Sequence, residues 1–173
     1  MGTVTLITGG ARSGKSAHAL ALAQHAPGAR RFFIATAEAL DDEMRARIAH
    51  HRANRSADFA TIEEPIAVAD ALSKLARRAD IVVVDCLTLW ISNLLMANRS
   101  DEEILDEARG LAATMAGAPF ATIVVTDEVG AGIVPENAMA RRFRDLLGWT
   151  NQALAQTAEG VVLMVAGYPM RVK

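Results

Sequence analysis

Val4-Thr5-Leu6-Ile7-Thr8-Gly9-Gly10-Ala11-Arg12-Ser13-Gly14-Lys15-Ser16 passes from a short apolar, β-branched run into a glycine-rich turn that ends in Lys-Ser. Residues 9–16 satisfy G-x-x-x-x-G-K-[ST] in full. Each part of that pattern has a physical purpose. Glycines let the backbone turn tightly enough to aim its N–H groups at phosphate oxygens. A helix starting near Lys15 turns the positive end of its dipole toward the same anion. Lys15 reaches the outer phosphates, and the Ser16 hydroxyl can sit on Mg²⁺. A chance glycine turn containing Lys-Ser would leave the strand before it and the helix after it unexplained. The stretch therefore reads as a phosphate-binding loop for ATP or GTP.

Working outward, residues 15–24 are rich in alanine and leucine and read as a helix, ended by Pro27-Gly28. Phe32-Phe33-Ile34-Ala35 reads as a second strand, and Asp41-Asp42-Glu43 opens a helix to about Asn54 with acids in its first turn. A weak strand near Thr61-Ile62 precedes a helix opening at Pro65, a position where proline is tolerated. Ile81-Val82-Val83-Val84-Asp85 is apolar on both faces, as a strand buried in a parallel sheet must be. Helices follow over residues 87–97 and 101–116, the second with Ser100 as its N-cap. Residues 121–126 form a further strand and residues 130–137 a Gly/Pro-bearing loop. A long helix over 138–159, with Gly148 as a point of interruption, leads to a last strand at 161–165. Strands alternating with helices predict an α/β fold with a mostly parallel sheet flanked by helices, the P-loop NTPase (RecA-like) architecture. No repeat, linker or low-complexity segment divides it, so residues 1–173 read as a single domain.

Bulk properties narrow the function classes. With 51% hydrophobic and 22% charged residues the chain has the composition of a folded globule. A formal charge of −2 gives no field to gather nucleic acid or an anionic membrane, and no basic track marks a nucleic-acid motor. No run approaches the roughly 18–20 apolar residues of a membrane helix, and no charged leader precedes the first strand. Cys86 is the single cysteine, so no intramolecular disulfide can form. The expectation is a cytoplasmic protein that neither enters membranes nor binds nucleic acid.

Further candidates stand at strand ends. In an open parallel sheet the carboxyl ends of strands face the ligand crevice. Asp85 there is placed to hold magnesium or its water shell, the alternative being a cap on the following helix. Asp127 and Glu128 end the next apolar strand in the same manner, with no role assignable from sequence. Cys86 reads as a small buried hydrophobe. In the helix over 41–54, Met44, Ile48 and His51 share one stripe; Glu43, Arg47, His50 and Asn54 share another. His51 thus lies beside the core, whereas His50 projects from a polar face. His50 has no second ligand-type residue at a spacing typical of zinc helices.

These motifs together carry a resemblance. Thr8–Ser16, Ile34-Ala35-Thr36, Leu40-Asp41-Asp42-Glu43-Met44, Arg47-Ile48-Ala49-His50-His51-Arg52, Asp85-Cys86-Leu87-Thr88, Thr126-Asp127-Glu128-Val129-Gly130 and Gly132-Ile133-Val134-Pro135-Glu136-Asn137 occur in one colinear series. In that series the chain resembles the bifunctional adenosylcobinamide kinase/adenosylcobinamide-phosphate guanylyltransferase family of cobalamin biosynthesis. The resemblance implies that adenosylcobinamide is phosphorylated on its aminopropanol hydroxyl with ATP or GTP. GMP from GTP is then passed to the phosphorylated corrinoid through a covalent intermediate on the first histidine of the pair, His50. It implies guanine-nucleotide contacts at Ile34, Ala35, Thr36, His51, Arg52, Ala53, Asn54, Glu63 and Asp85, although Glu64 adjoins Glu63. The loop residues Gly9, Gly10, Ala11, Arg12, Ser13, Gly14, Lys15 and Ser16 hold the triphosphate, Lys15 acts with His50 in catalysis, and Ser16 and Asp85 attend the Mg²⁺. A homotrimer is implied as well. Two other readings stay open from residues alone: another P-loop small-molecule kinase with a surface His50, or a GTP-binding regulatory protein without turnover.

Overall fold

The structure, a computed structural model, describes residues 2–38, 42, 45 and 57–173. Its elements in chain order are β1 (Val4–Gly9), α1 (Lys15–His25), β2 (Arg31–Ala35), β3 (Phe59–Glu63), α2 (Val68–Ser73), β4 (Ile81–Asp85), α3 (Leu87–Met96), α4 (Asp101–Gly117), β5 (Ala121–Val125), α5 (Ala138–Thr157), β6 (Gly160–Val165) and β7 (Tyr168–Arg171). The strands form one sheet in the order β3-β2-β4-β5-β1-β6-β7. All neighbouring pairs are parallel except β6–β7, which is antiparallel. The α/β architecture with a mostly parallel sheet is thus as the sequence predicts.

Alternation along the central strands sorts side chains to two faces. Leu6, Val82, Val84 and Val124 enter one core with Leu72, Leu87, Trp90, Leu111 and Leu147 from α2 through α5. Ile7, Ile81, Val83 and Val125 enter the other, where α1 buries the small side chains Ala19 and Ala23 and packs the partly buried Leu20 beside them. Those alanines let α1 lie close against the sheet behind the loop that precedes it. The parallel strands all end at one edge. The glycine-rich loop, Thr36, Glu63, Asp85 and Asp127 consequently follow strand ends on the same side of the sheet.

Several boundaries differ from expectation. α5 runs unbroken through Gly148, because Leu146, Leu147, Thr150, Asn151 and Leu154 keep it packed on the sheet. The helix expected from Pro65 opens at Val68; Glu64 Oε1 accepts from the N–H groups of Ile66 and Ala67 at 3.1 and 2.8 Å and shapes the intervening turn. The weak strand near Thr61 extends over Phe59–Glu63. β7 was not expected: all four of its residues are exposed and it carries Pro169, so it lacks the apolar pattern by which a buried strand is read. Ser100 caps α4 as predicted, completing a capping box with Glu103. The N-cap position of α3 is taken by Cys86, one residue after Asp85. Within the segment read as a histidine helix, Asp42 and Arg45 are helical and ion-paired; His50, His51, Arg52, Ala53 and Asn54 lie outside the described residues.

Candidate functional site

The loop between β1 and α1 has the backbone its sequence demands. Gly9 and Gly14 have φ of 149° and 96°, and Arg12 between them has φ of 57°. A Cβ on Gly9 would stand 2.6 Å from the Met164 carbonyl oxygen and 2.8 Å from Ser13 Oγ, so only glycine passes there. Gly14 is the N-cap of α1, which places the unpaired N–H groups of the first helical turn at the loop. The Ser13 carbonyl accepts from Gly167 N–H at 3.0 Å, pinning the loop to the β6–β7 turn. Ser16 is half-buried, Arg12 exposed. Ser13 is buried and its hydroxyl has no partner among the described residues.

Lys15 is 8% exposed, and its ammonium is held by two acceptors. Nζ donates to the Gly10 carbonyl at 2.6 Å and lies 2.5 Å from Asp127 Oδ1. An ammonium has three donors, so one N–H remains to meet a phosphate oxygen. Asp127 belongs beside Lys15 because β5 is the immediate neighbour of β1, with Ile7 level with Val125. Thr88 Oγ1 accepts from Asp127 N–H at 2.9 Å, and Asn151 Nδ2 donates to the Asp127 carbonyl at 3.1 Å. Glu128 is exposed, but its N–H donates to the Gly9 carbonyl at 3.0 Å and its Oε1 accepts from Thr8 Oγ1 at 2.7 Å. The structure thus sets both acids, whose roles are open from sequence, beside the loop: Asp127 against the Lys15 ammonium, Glu128 against the Thr8 hydroxyl.

β4 is separated from β1 by β5. Asp85 thus ends a strand two spacings from the loop, about 9–10 Å at ordinary inter-strand distance. Its neighbour Cys86, expected as a small buried hydrophobe, is half-buried. Burial first, then the charges of Asp85 and Asp127, push the thiol up to about 12, so it stays protonated and inert near neutrality. A hydroxyl at Ser16 and a carboxylate at Asp85 are oxygen donors of the kind magnesium takes. No cluster of three His, Cys, Asp or Glu side chains exists among the described residues.

Of the trio Ile34, Ala35 and Thr36, only Ala35 is not fully buried. Thr36 is 0% exposed, and each of its polar groups is bonded inside the fold. Its hydroxyl donates to the Cys86 carbonyl at 2.7 Å and accepts from Cys86 N–H at 2.9 Å. Its N–H donates to the Asp85 carbonyl, and its own carbonyl accepts from Asn93 Nδ2 at 2.8 Å. Thr36 thus locks the end of β2 to the end of β4. Between the adjacent acids, Glu64 holds the turn into α2, which leaves the exposed Glu63 as the carboxylate at the end of β3.

Sequence reading missed Thr8, Thr88, Asn93 and Asn151 as site-forming residues. Asn151 carried a legible signal: it lies in register with Leu147 and Leu154 on the apolar stripe of α5, where a polar group must find partners.

Comparison with known proteins covers nearly the whole chain. The model of the family described as cobinamide kinase / cobinamide phosphate guanyltransferase matches residues 5–172. The bifunctional adenosylcobalamin biosynthesis protein CobP of Pseudomonas aeruginosa is 46% identical over 169 residues, which span 97% of this chain and 96% of that protein. The bifunctional adenosylcobalamin biosynthesis proteins CobU of Salmonella typhimurium and Escherichia coli are 42% and 38% identical, each over 97% of this chain and 98% of its own length.

Proposed function

The chain belongs to the cobinamide kinase / cobinamide phosphate guanyltransferase family, and from that membership we propose that one phosphate loop serves two successive transfers. In the first, the aminopropanol hydroxyl of adenosylcobinamide takes the γ-phosphoryl group of ATP or GTP. In the second, a neutral imidazole of His50 attacks the α-phosphorus of GTP and releases pyrophosphate. The corrinoid phosphate then attacks the resulting phosphoramidate and leaves as adenosylcobinamide-GDP. The observation that carries this reading is Lys15, whose buried ammonium is aimed by Gly10 and Asp127 with one donor left for a phosphate oxygen. Transfers of this kind need positioning and charge neutralisation above all.

Other residues take supporting roles. The amides of residues 9–16 cradle the triphosphate, and Ser16 with Asp85 would hold Mg²⁺. Bound there, the ion would neutralise charge on the phosphate oxygens. Glu63, Ala35 and Asp85 border the nucleotide at the ends of adjacent strands, Ile34 and Thr36 setting the backbone between them. His51, Arg52, Ala53 and Asn54 complete the guanine-nucleotide contacts. The protein works in the cytoplasm as a homotrimer; no described helix is long and apolar enough to cross a membrane. Light scattering from a purified sample tests the trimer.

Incubation with α-labelled GTP tests the covalent step. The expected product is a protein–nucleotide bond that is acid-labile and alkali-stable, present in the wild type and absent from His50→Ala. The variant should still phosphorylate adenosylcobinamide. Label retained by His50→Ala would overturn the assignment.

A further inference from the structure

The two transfers differ in what their nucleophiles must lose. A phosphate monoester is already ionised near neutrality, its second pKa being about 6, and a neutral imidazole attacks through a lone pair. An alcohol has to give up its proton as the new O–P bond forms. One of the three attacks therefore calls for a proton acceptor at the mouth of the loop.

We infer that this acceptor is Glu128, with Thr8 and Asn151 as its positioning residues; the inference rests on the phosphorylation half of the reading above. Glu128 follows β5, the strand beside the loop strand, and its N–H is docked on Gly9, the first residue of the loop, at 3.0 Å. Its Oε1 accepts from Thr8 Oγ1 at 2.7 Å, with Asn151 Nδ2 at 3.5 Å as a longer second contact. Asn151 is itself fixed: it is buried, its Oδ1 accepts from Thr126 Oγ1 at 2.7 Å, and its amide holds the Asp127 carbonyl. One oxygen of the carboxylate is thus tied down. Oε2 has no partner among the described residues, on a side chain exposed at the crevice edge. Asp127 is not available for the task, because its Oδ1 lies 2.5 Å from the Lys15 ammonium. In the step, the alcohol oxygen bonds to the γ-phosphorus as its proton passes to Glu128 Oε2. The bond from γ-phosphorus to the bridging oxygen breaks, its electron pair leaving with the nucleoside diphosphate. Glu128 then releases the proton to water.

The test compares two rates on each full-length protein. Phosphorylation is measured with adenosylcobinamide and ATP, and GMP transfer with α-labelled GTP and preformed adenosylcobinamide-phosphate. Glu128→Gln should lower kcat for phosphorylation by about 10²–10⁴-fold, the usual worth of a general base. KM for ATP and the rate of GMP transfer should be unchanged. Thr8→Val, which frees Oε1 while keeping the carboxylate, should give a smaller loss confined to the same reaction, and it serves if Glu128→Gln does not fold. Wild-type phosphorylation by Glu128→Gln would overturn the inference, as would an equal fall in both rates. A wild type that phosphorylates but transfers no GMP would defeat the two-transfer reading instead. The effect of Glu128→Gln on kcat would still decide the role of Glu128.

Discussion

At the scale of single residues, the geometry around Lys15 makes Asp127 a partner of the nucleotide without touching it. A charge-assisted hydrogen bond is worth about 1.5–3 kcal/mol, so its loss translates to roughly 10–100-fold in nucleotide affinity. Asp127→Asn removes the charge that holds the buried ammonium, leaving Gly10 as its acceptor. Phosphorylation and GMP transfer should weaken together by that factor, their ratio unchanged, with Lys15→Ala abolishing both. Steady-state titration with ATP and GTP reads the effect; a change in the ratio would show that Asp127 acts on one reaction alone. The contrast with Glu128 is informative, since neighbours in sequence would then differ in which transfer they serve. Both acids were visible as strand-end candidates. Their tasks were not legible, because they depend on β5 lying beside β1, and sheet order is set by tertiary packing rather than by any local pattern.

At the scale of elements, helix α5 shows where local rules yield to packing. A glycine inside a helix costs about 0.5–1 kcal/mol relative to alanine, which is why Gly148 reads as a break. Burial outweighs that cost. Leu146, Leu147 and Leu154 are each at most 1% exposed, and a fully buried Leu contributes about 1.5–3 kcal/mol. A Cβ on Gly148 would meet no atom within 4 Å. Gly148→Ala should therefore stabilise the protein by about 0.5–1 kcal/mol, which raises Tm by roughly 1–4 °C at this chain length. Calorimetry checks it; a lowered Tm would mean that this face is occupied in solution. The same balance explains what was readable elsewhere. Ile81–Asp85 is apolar on both faces and declares itself a central strand, and Ser100 with Glu103 announces the start of α4. β7 borders the sheet with exposed residues and a proline, so nothing in its composition distinguishes it from a loop.

At the scale of the whole molecule, the two edges of the sheet are held by different means, and the consequence is acid sensitivity. The carboxyl edge carries the phosphate loop; the opposite edge is fastened by carboxylates that receive backbone N–H groups. Asp80, just before β4, accepts from the N–H groups of Ala29 and Arg30 at 3.1 and 3.0 Å and from the Arg30 guanidinium, tying the entry of β2 to that of β4. Glu159, just before β6, accepts from Val4 N–H at 2.6 Å and ties in the entry of β1. The Arg30 side chain, above all, draws the Asp80 carboxyl down to about 2, and the Val4 amide lowers Glu159. A carboxylate lowered in the folded state contributes stability above its unfolded value, roughly 4 for these acids. That contribution disappears as pH falls through the folded value, because the unfolded chain then binds more protons. For Asp80 the loss spans the interval from about pH 4 to about pH 2. Urea midpoints measured across that range should fall in the wild type. In Asp80→Asn the midpoint should start lower at pH 5 and decline less steeply, so that the two curves converge at the acid end. Parallel curves would show that the clamp at the entry of β2 and β4 is not what titrates.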